Sequence, residues 1–160
     1  MRISVILENT VTGGILLILG LAFFAIRLYY IDLRKRKGLM KALETEISRM
    51  RVVSDDEIEL LRQKIEKCAE PLIVLESAQP VFDGCSRDLS LLDKETLNYV
   101  VLVYTYDRFV SKALSGFANA QFKTFPMEVR MRAFTEFEKF NEASIKYRNK
   151  ALRCLSGQVC

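Results

Sequence analysis

Residues 9–31 read NTVTGGILLILGLAFFAIRLYYI, and the eighteen from Asn9 to Ile26 carry no charge. Ten of those eighteen are Leu, Ile, Val or Phe. Extended past Arg27 to Ile31, a helix from Val11 has 21 residues and a length of about 31 Å, close to a hydrocarbon core of roughly 30 Å. The ten strongly apolar side chains favour insertion by at most about 3–6 kcal/mol, against about 2.5–3.5 kcal/mol for an arginine at the midplane. Arg27 lies near the end of the stretch, where its stem can snorkel toward the headgroups beside Tyr29 and Tyr30. Insertion is therefore the expected outcome, and Val11–Ile31 is expected to be a transmembrane helix.

Two competing readings fit less well. A cleaved signal peptide needs a basic leader and a small-x-small site after the apolar core. Here Glu8 precedes the core, and Phe23-Phe24-Ala25-Ile26-Arg27-Leu28-Tyr29-Tyr30 follows without such a site. A core helix of a soluble protein is seldom apolar on every face for this length.

Orientation follows from the flanking cations. Arg2 is offset by Glu8 before the span, whereas Arg34, Lys35, Arg36, Lys37 and Lys41 follow it. The positive-inside bias then puts residues 1–10 outside, as a short non-cytoplasmic tail, and the remainder in the cytoplasm, at a plasma (bacterial inner) membrane. Arg27, Tyr29, Tyr30, Arg34, Lys35, Arg36 and Lys37 are the expected membrane-interface residues, with membrane lipid as their partner. Gly13 and Gly20, seven apart, share one helix face and are the expected packing positions if spans associate. They do not form the G-x-x-x-G pattern.

The rest of the composition agrees with an anchored globular domain. The chain has 160 residues, half of them hydrophobic, yet 28% are charged. Seven Gly and three Pro are few for a turn-rich β-sandwich or a flexible linker. The net charge of +4 lies wholly in residues 1–37, with six basic side chains against two acidic, while residues 38–160 carry 18 of each. A nucleic-acid binder would concentrate the excess on its folded part, so no nucleic-acid partner is expected. The cysteines, at 68, 85, 154 and 160, form no C-x-x-C pair. In the cytoplasm they are expected to be reduced, with Cys68 and Cys154 buried as packing residues. Gly157 stands where a prenylation box needs cysteine.

Beyond the span, the periodicity is helical. Leu33, Met40, Leu43, Ile47 and Met50 make one stripe in a basic juxtamembrane region and helix over 32–51. Ser54-Asp55-Asp56-Glu57 is a capping box that opens a second helix, with a break near Val52-Val53 before it. Its stripe runs Ile58, Leu61, Ile65, Cys68, Leu72 and Leu75, with a kink at Pro71. Residues 79–84 read as a loop. A third helix is expected from Ser90 or Asp93 to about Ser115, although Tyr99–Tyr106 alone has strand propensity. A fourth is expected to open with Pro126 at its first position and end near Gly157. Its inner stripe is Phe134, Phe137, Ile145, Leu152 and Leu155. Lys146, Arg148, Lys150 and Arg153 suit that helix's C-terminal dipole. The expected architecture is all-α: one transmembrane helix followed by a cytoplasmic helical bundle of about four helices, with the main domain at 52–160.

Little of this sequence carries chemistry. There is no histidine, which removes the commonest general base and metal ligand. No phosphate-binding glycine loop, dinucleotide fingerprint or calcium loop occurs. Asp55, Asp56, Glu57 and Glu59 cluster, but helix capping accounts for them more simply than a cation. Asp107 and Arg108 interrupt an apolar helix as a possible buried ion pair, an arrangement that more often specifies packing than catalysis. No enzyme activity, cofactor, metal site or small-molecule substrate is expected. The function expected is that of a membrane-anchored interaction or scaffold protein, an accessory subunit or a homo-oligomer. The alternative is a small membrane-perturbing effector acting through oligomerised spans.

Overall fold

The computed structural model describes residues 2–68, 79–85 and 87–158, with side chains described from Leu17 onward. The described residues are all helical apart from their connections, with no strand among them. The five α-helices are α1 (Arg2–Arg49), α2 (Asp55–Glu66), α3 (Pro80–Gly84), α4 (Lys94–Ala118) and α5 (Met127–Leu155). Short 3-10 turns occupy Asp88–Leu91 and Ala120–Thr124. The chain divides into two compact units, residues 1–38 and 39–160, so α1 contributes its last three turns to the second.

Among the described residues, no helix is long and apolar enough to cross a membrane. The side chains of residues 9–16, which begin the uncharged stretch, lie outside those described. The eighteen residues from Leu17 to Arg34 include three charges, Arg27, Asp32 and Arg34. The helix itself starts at Arg2, and so runs through the expected tail.

In the second unit α4 and α5 pack side by side and carry two separate hydrophobic cores. The first joins Leu39, Leu43 and Ile47 of α1 to Leu92, to Val100, Val103 and Tyr104 of α4, and to Ala151 and Leu155 of α5. The second joins Val53, Leu61 and Ile65 to Val110 and Phe117 of α4 and to Phe134 and Phe137 of α5. One end of the α4–α5 pair therefore takes α1 and the other takes α2. Of the stripe expected in 32–51, Leu43 and Ile47 are buried, Leu33, Met40 and Met50 are half-buried, and Leu39 joins the buried set. On α5 the expected Ile145 and Leu152 are half-buried, while Asn141 and Ala151 are fully enclosed.

Local signals account for most helix ends. Ser54 accepts from the Glu57 backbone N–H while the Glu57 carboxylate accepts from the Ser54 N–H, a complete capping box. Asp93 caps α4 by accepting from Thr96 N at 2.9 Å. Pro126 is the residue before α5 rather than its first, and its carbonyl accepts from Arg130 N at 3.1 Å. Residues 79–84, expected as a loop, instead hold α3, with Pro80 at its first turn where a missing N–H costs nothing. Cys68, expected in the core, is exposed with φ 50°, because α2 has already stopped at Glu66. Pro71, Leu72 and Leu75 lie outside the described residues.

The corner between α1 and α2 is closed from α5. The last carbonyls of any helix lack partners within it. Arg148 donates to Ile47 O at 3.1 Å and Ser48 O at 2.8 Å, at the end of α1. Asn141 donates to Val53 O at 3.1 Å in the connection. Arg130, buried, donates to Ile65 O at the end of α2 and lies 2.7 Å from Cys68 Sγ. Arg148 thus serves the dipole of α1 rather than only that of its own helix.

Three substitutions test these contacts. Ser54→Ala should destabilise the domain by about 1 kcal/mol, read as a lower Tm. The Glu57 carboxyl is held below its ordinary range, chiefly by the Ser54 backbone N–H and then by Arg51. A lowered carboxylate contributes stability above its unfolded pKa and loses it as pH falls through the folded value. Glu57→Gln should therefore flatten the acid limb of the Tm–pH curve, modestly, since both side chains of the Arg51–Glu57 pair are exposed. Arg148→Met keeps an apolar stem but removes both donors, and should cost about 1.5–3 kcal/mol. The neighbouring Lys146→Met should stay within about 0.5 kcal/mol; equal effects of the two would refute the capping role.

Candidate functional site

The most unusual surface lies on α1. Leu17, Ile18, Leu19, Leu21, Phe23, Phe24, Ile26, Leu28, Tyr29, Tyr30 and Ile31 are all exposed, Phe23 to 70%. Successive residues on a helix point around its whole circumference, so apolar side chains are exposed on every face of this segment. Soluble monomers rarely leave so continuous an apolar surface to water. Gly20, on the expected packing face, has nothing within 4 Å of a Cβ built there, so that face is open. Gly13 lies outside the residues whose surroundings are described.

Below the apolar segment comes the basic one. Arg27, Arg34, Lys35 and Lys37 are exposed and Arg36 is half-buried. The rings of Tyr29 and Tyr30 meet edge to face at 6.3 Å. All seven residues expected at the membrane interface thus occupy one continuous helix.

A second concentration of polar groups holds α3 in the bundle, from residues far apart along the chain. The Glu46 carboxylate accepts from the first free N–H groups of α3, Val81 N at 2.8 Å and Phe82 N at 3.1 Å. It also accepts from the Tyr104 hydroxyl. Phe82 stacks on the buried Tyr104 ring at 4.0 Å between centroids. The Asp107–Arg108 pair does not form. Gln79 stands between them, donating to Asp107 Oδ2 at 2.7 Å and accepting from Arg108 Nε at 3.0 Å. Arg108 reaches Asp83 on the exposed side at 2.6 Å. Burial first, and then the hydrogen bond to Glu46, pushes the Tyr104 phenol well above its ordinary pKa.

The buried groups of this cluster are engaged within it, and only Arg108 and Asp83 reach the exposed side. The three donors to Glu46 include two main-chain groups, and Tyr104 and Asp107 are buried. The available signal was a polar residue on an apolar phase: Glu46 is flanked by Leu43 and Ile47, and Asn141 follows Phe134 and Phe137. Elsewhere, a shallow depression of about 460 Å³ lies between α1 and α5, lined by Glu44, Thr45, Ser48, Leu152, Arg153, Ser156 and Gln158. Among the described residues no group of three or more acidic or cysteine side chains is placed to hold a metal ion. Cys68 and Cys85 are free thiols, but Cys154 is disulfide-bonded, where reduced cysteines are expected.

Comparison with known proteins finds no match: no family model, no curated protein and no solved structure aligns with the chain.

Glu46→Gln tests the α3 network. It places an amide N–H₂ among groups that are already donors, so a loss of about 1–3 kcal/mol is expected. The raised phenol pKa means that Tyr104's contribution is full below the ordinary tyrosine pKa, near 10, and is lost as pH rises through the folded value. An alkaline absorbance titration of the six tyrosines should leave one un-ionised until the domain unfolds, and Tyr104→Phe should abolish that delayed step.

Proposed function

We propose that the chain is a single-pass membrane-anchored helical interaction protein, an accessory subunit or homo-oligomer whose bundle docks a partner at the bilayer. The observation that carries this reading is the uncovered apolar segment from Leu17 to Ile31, exposed on every face of α1. It continues an uncharged stretch that begins at Asn9. Water is a poor solvent for such a rod, and a hydrocarbon core of roughly 30 Å suits its length. An interaction role fits the second unit, whose buried polar groups are engaged in holding helices together.

The basic run after the span supports placing the bundle in the cytoplasm, at a plasma (bacterial inner) membrane. The disulfide at Cys154 pulls the other way, since such bonds persist chiefly in oxidising compartments. Four adjacent cations beside the span are the stronger determinant of topology. The open face at Gly20 is available to a second copy or a partner helix.

The test combines fractionation with topology. The chain should stay with membranes through an alkaline carbonate wash and leave them only in detergent. Protease added to intact cells should spare the bundle, and protease added after permeabilisation should digest it. Recovery in the aqueous extract would remove the anchor. Digestion in intact cells would leave the anchor standing and reverse the orientation.

A further inference from the structure

α4 carries a second apolar stripe beside the one it buries. Thr96, Val100, Val103, Val110 and Phe117 face inward and are buried. Tyr99, Leu102, Tyr106, Phe109 and Ala113 follow one another at spacings of 3, 4, 3 and 4, which keeps them within an arc of about 80°. Phe109 is 43% exposed, Leu102 and Tyr106 are half-buried, and none of these three belongs to either core. Phe140 and Tyr147 of α5 adjoin them, with Tyr106 stacked on Tyr147 at 5.4 Å between centroids and Phe109 on Phe140 at 5.2 Å. Lys150 Nζ lies 5.1 Å from the centroid of the Tyr99 ring, and Lys146 Nζ 5.8 Å from that of Tyr147. Both lysines are exposed, and no ion pair involves them among the described residues. Of the acids nearby, Glu95 accepts from the Tyr99 hydroxyl at 3.4 Å and Glu136 is held by Lys139 at 2.8 Å. Glu142 stands about 160° around α5 from Phe140.

We propose that this aromatic face docks an amphipathic helix of another protein, whose apolar side lies on the rings and whose carboxylates reach Lys146 and Lys150. The proposal rests on the interaction reading above and deepens it by naming the surface and the partner's chemistry, and it does not depend on the anchor. Spacings of 3 and 4 are those with which one helix seats another. Aromatic side chains are enriched at interface centres, and rings already stacked lose little freedom on contact. The Tyr106 and Tyr147 hydroxyls make no hydrogen bond among the described residues, so their capacity is left for a partner. The lysines select that partner. Ammonium groups only donate, and a second copy meeting this face with its own would oppose cation to cation. Carboxylates satisfy both lysines, which favours a different, acidic chain over self-association.

Two designed peptides of about three heptads test this, both with leucine at the a and d positions. One carries glutamate at the flanking positions and its twin carries lysine there. Full-length protein in phosphatidylcholine nanodiscs is titrated against each fluorescent peptide, with empty discs as the blank. The acidic peptide should bind saturably and about tenfold more tightly than its twin at low salt, with the gap narrowing as salt screens it. Phe109→Glu, at an exposed position, should weaken binding about tenfold or more, while Leu60→Glu, exposed on α2, should leave it unchanged. Lys146→Glu with Lys150→Glu should reverse the preference between the peptides. Equal affinity for the two, or full binding by the Phe109→Glu variant, would overturn the proposal. A dimer of the unaltered chain that Phe109→Glu dissolves, with no peptide bound, would assign the face to a second copy and overturn the acidic partner. Failure of the chain to enter the discs would count against the anchor alone, and the same titration in buffer would then decide the face.

Discussion

Ile47 near the end of α1 is fully buried while Ser48 and Arg49 are exposed, and the last carbonyls of the helix have no partners within it. Arg148 supplies donors by reaching from α5 to Ile47 O and Ser48 O. Asn141 and Arg130 do the same for the connection and for the end of α2. A single helix thus supplies three side chains that fix where α1 stops, how the chain turns, and where α2 stops. Hydrophobic packing alone would not achieve this, because the two cores are separate and each touches only one of the two helices. The polar contacts set the angle at which the cores are joined.

The same economy operates on the other side of α1. Glu46 lies between Leu43 and Ile47, both fully buried, so it emerges at the edge of the first core. There its carboxylate satisfies the N-terminal N–H groups of a helix of only five residues, α3, and takes the Tyr104 hydroxyl as well. So short a helix has no cooperative stability of its own. Its persistence depends on Glu46, on the stacking of Phe82 over Tyr104, and on Gln79 between Asp107 and Arg108. Three turns of α1 therefore position both α5 and α3.

How much of this could be read beforehand divides by range. The capping box at Ser54, the start of α4 after Asp93 and the extent of α5 near Pro126 and Gly157 are written in neighbouring residues, and the sequence shows them. The helical state of Tyr99–Tyr106, where β-propensity competes, follows from length and caps. What the sequence hides is chemistry between distant positions. Nothing local announces that Arg148 pairs with residues 100 and 101 positions earlier, or that Gln79 is buried against Asp107. Adjacent residues such as Asp107 and Arg108 invite pairing on paper. On a helix they point about 100° apart, and here one turns inward while the other reaches Asp83. Periodicity alone places Cys68 in the core, because it cannot register that the helix ends two residues before it.

These assignments bear on function through a simple count of obligations. A catalytic or ligand site keeps some polar capacity uncommitted, so that substrate can complete it. Glu46, Tyr104, Asn141 and Arg148 spend theirs on main-chain groups and on one another, and Gln79 spends its amide on Asp107 and Arg108. Most buried polar groups of the bundle are engaged within it, although Arg62 Nε and Arg130 Nε find no hydrogen-bond partner among the described residues, and Leu60, Val101, Phe109, Phe125, Met127 and Val129 stay exposed outside the two cores. The large mismatch with water lies on α1 before Gly38, where apolar side chains face outward on every side and cations follow them. Apolar area of that extent is unfavourable in water, which motivates the proposal that α1, rather than the bundle, meets an apolar environment.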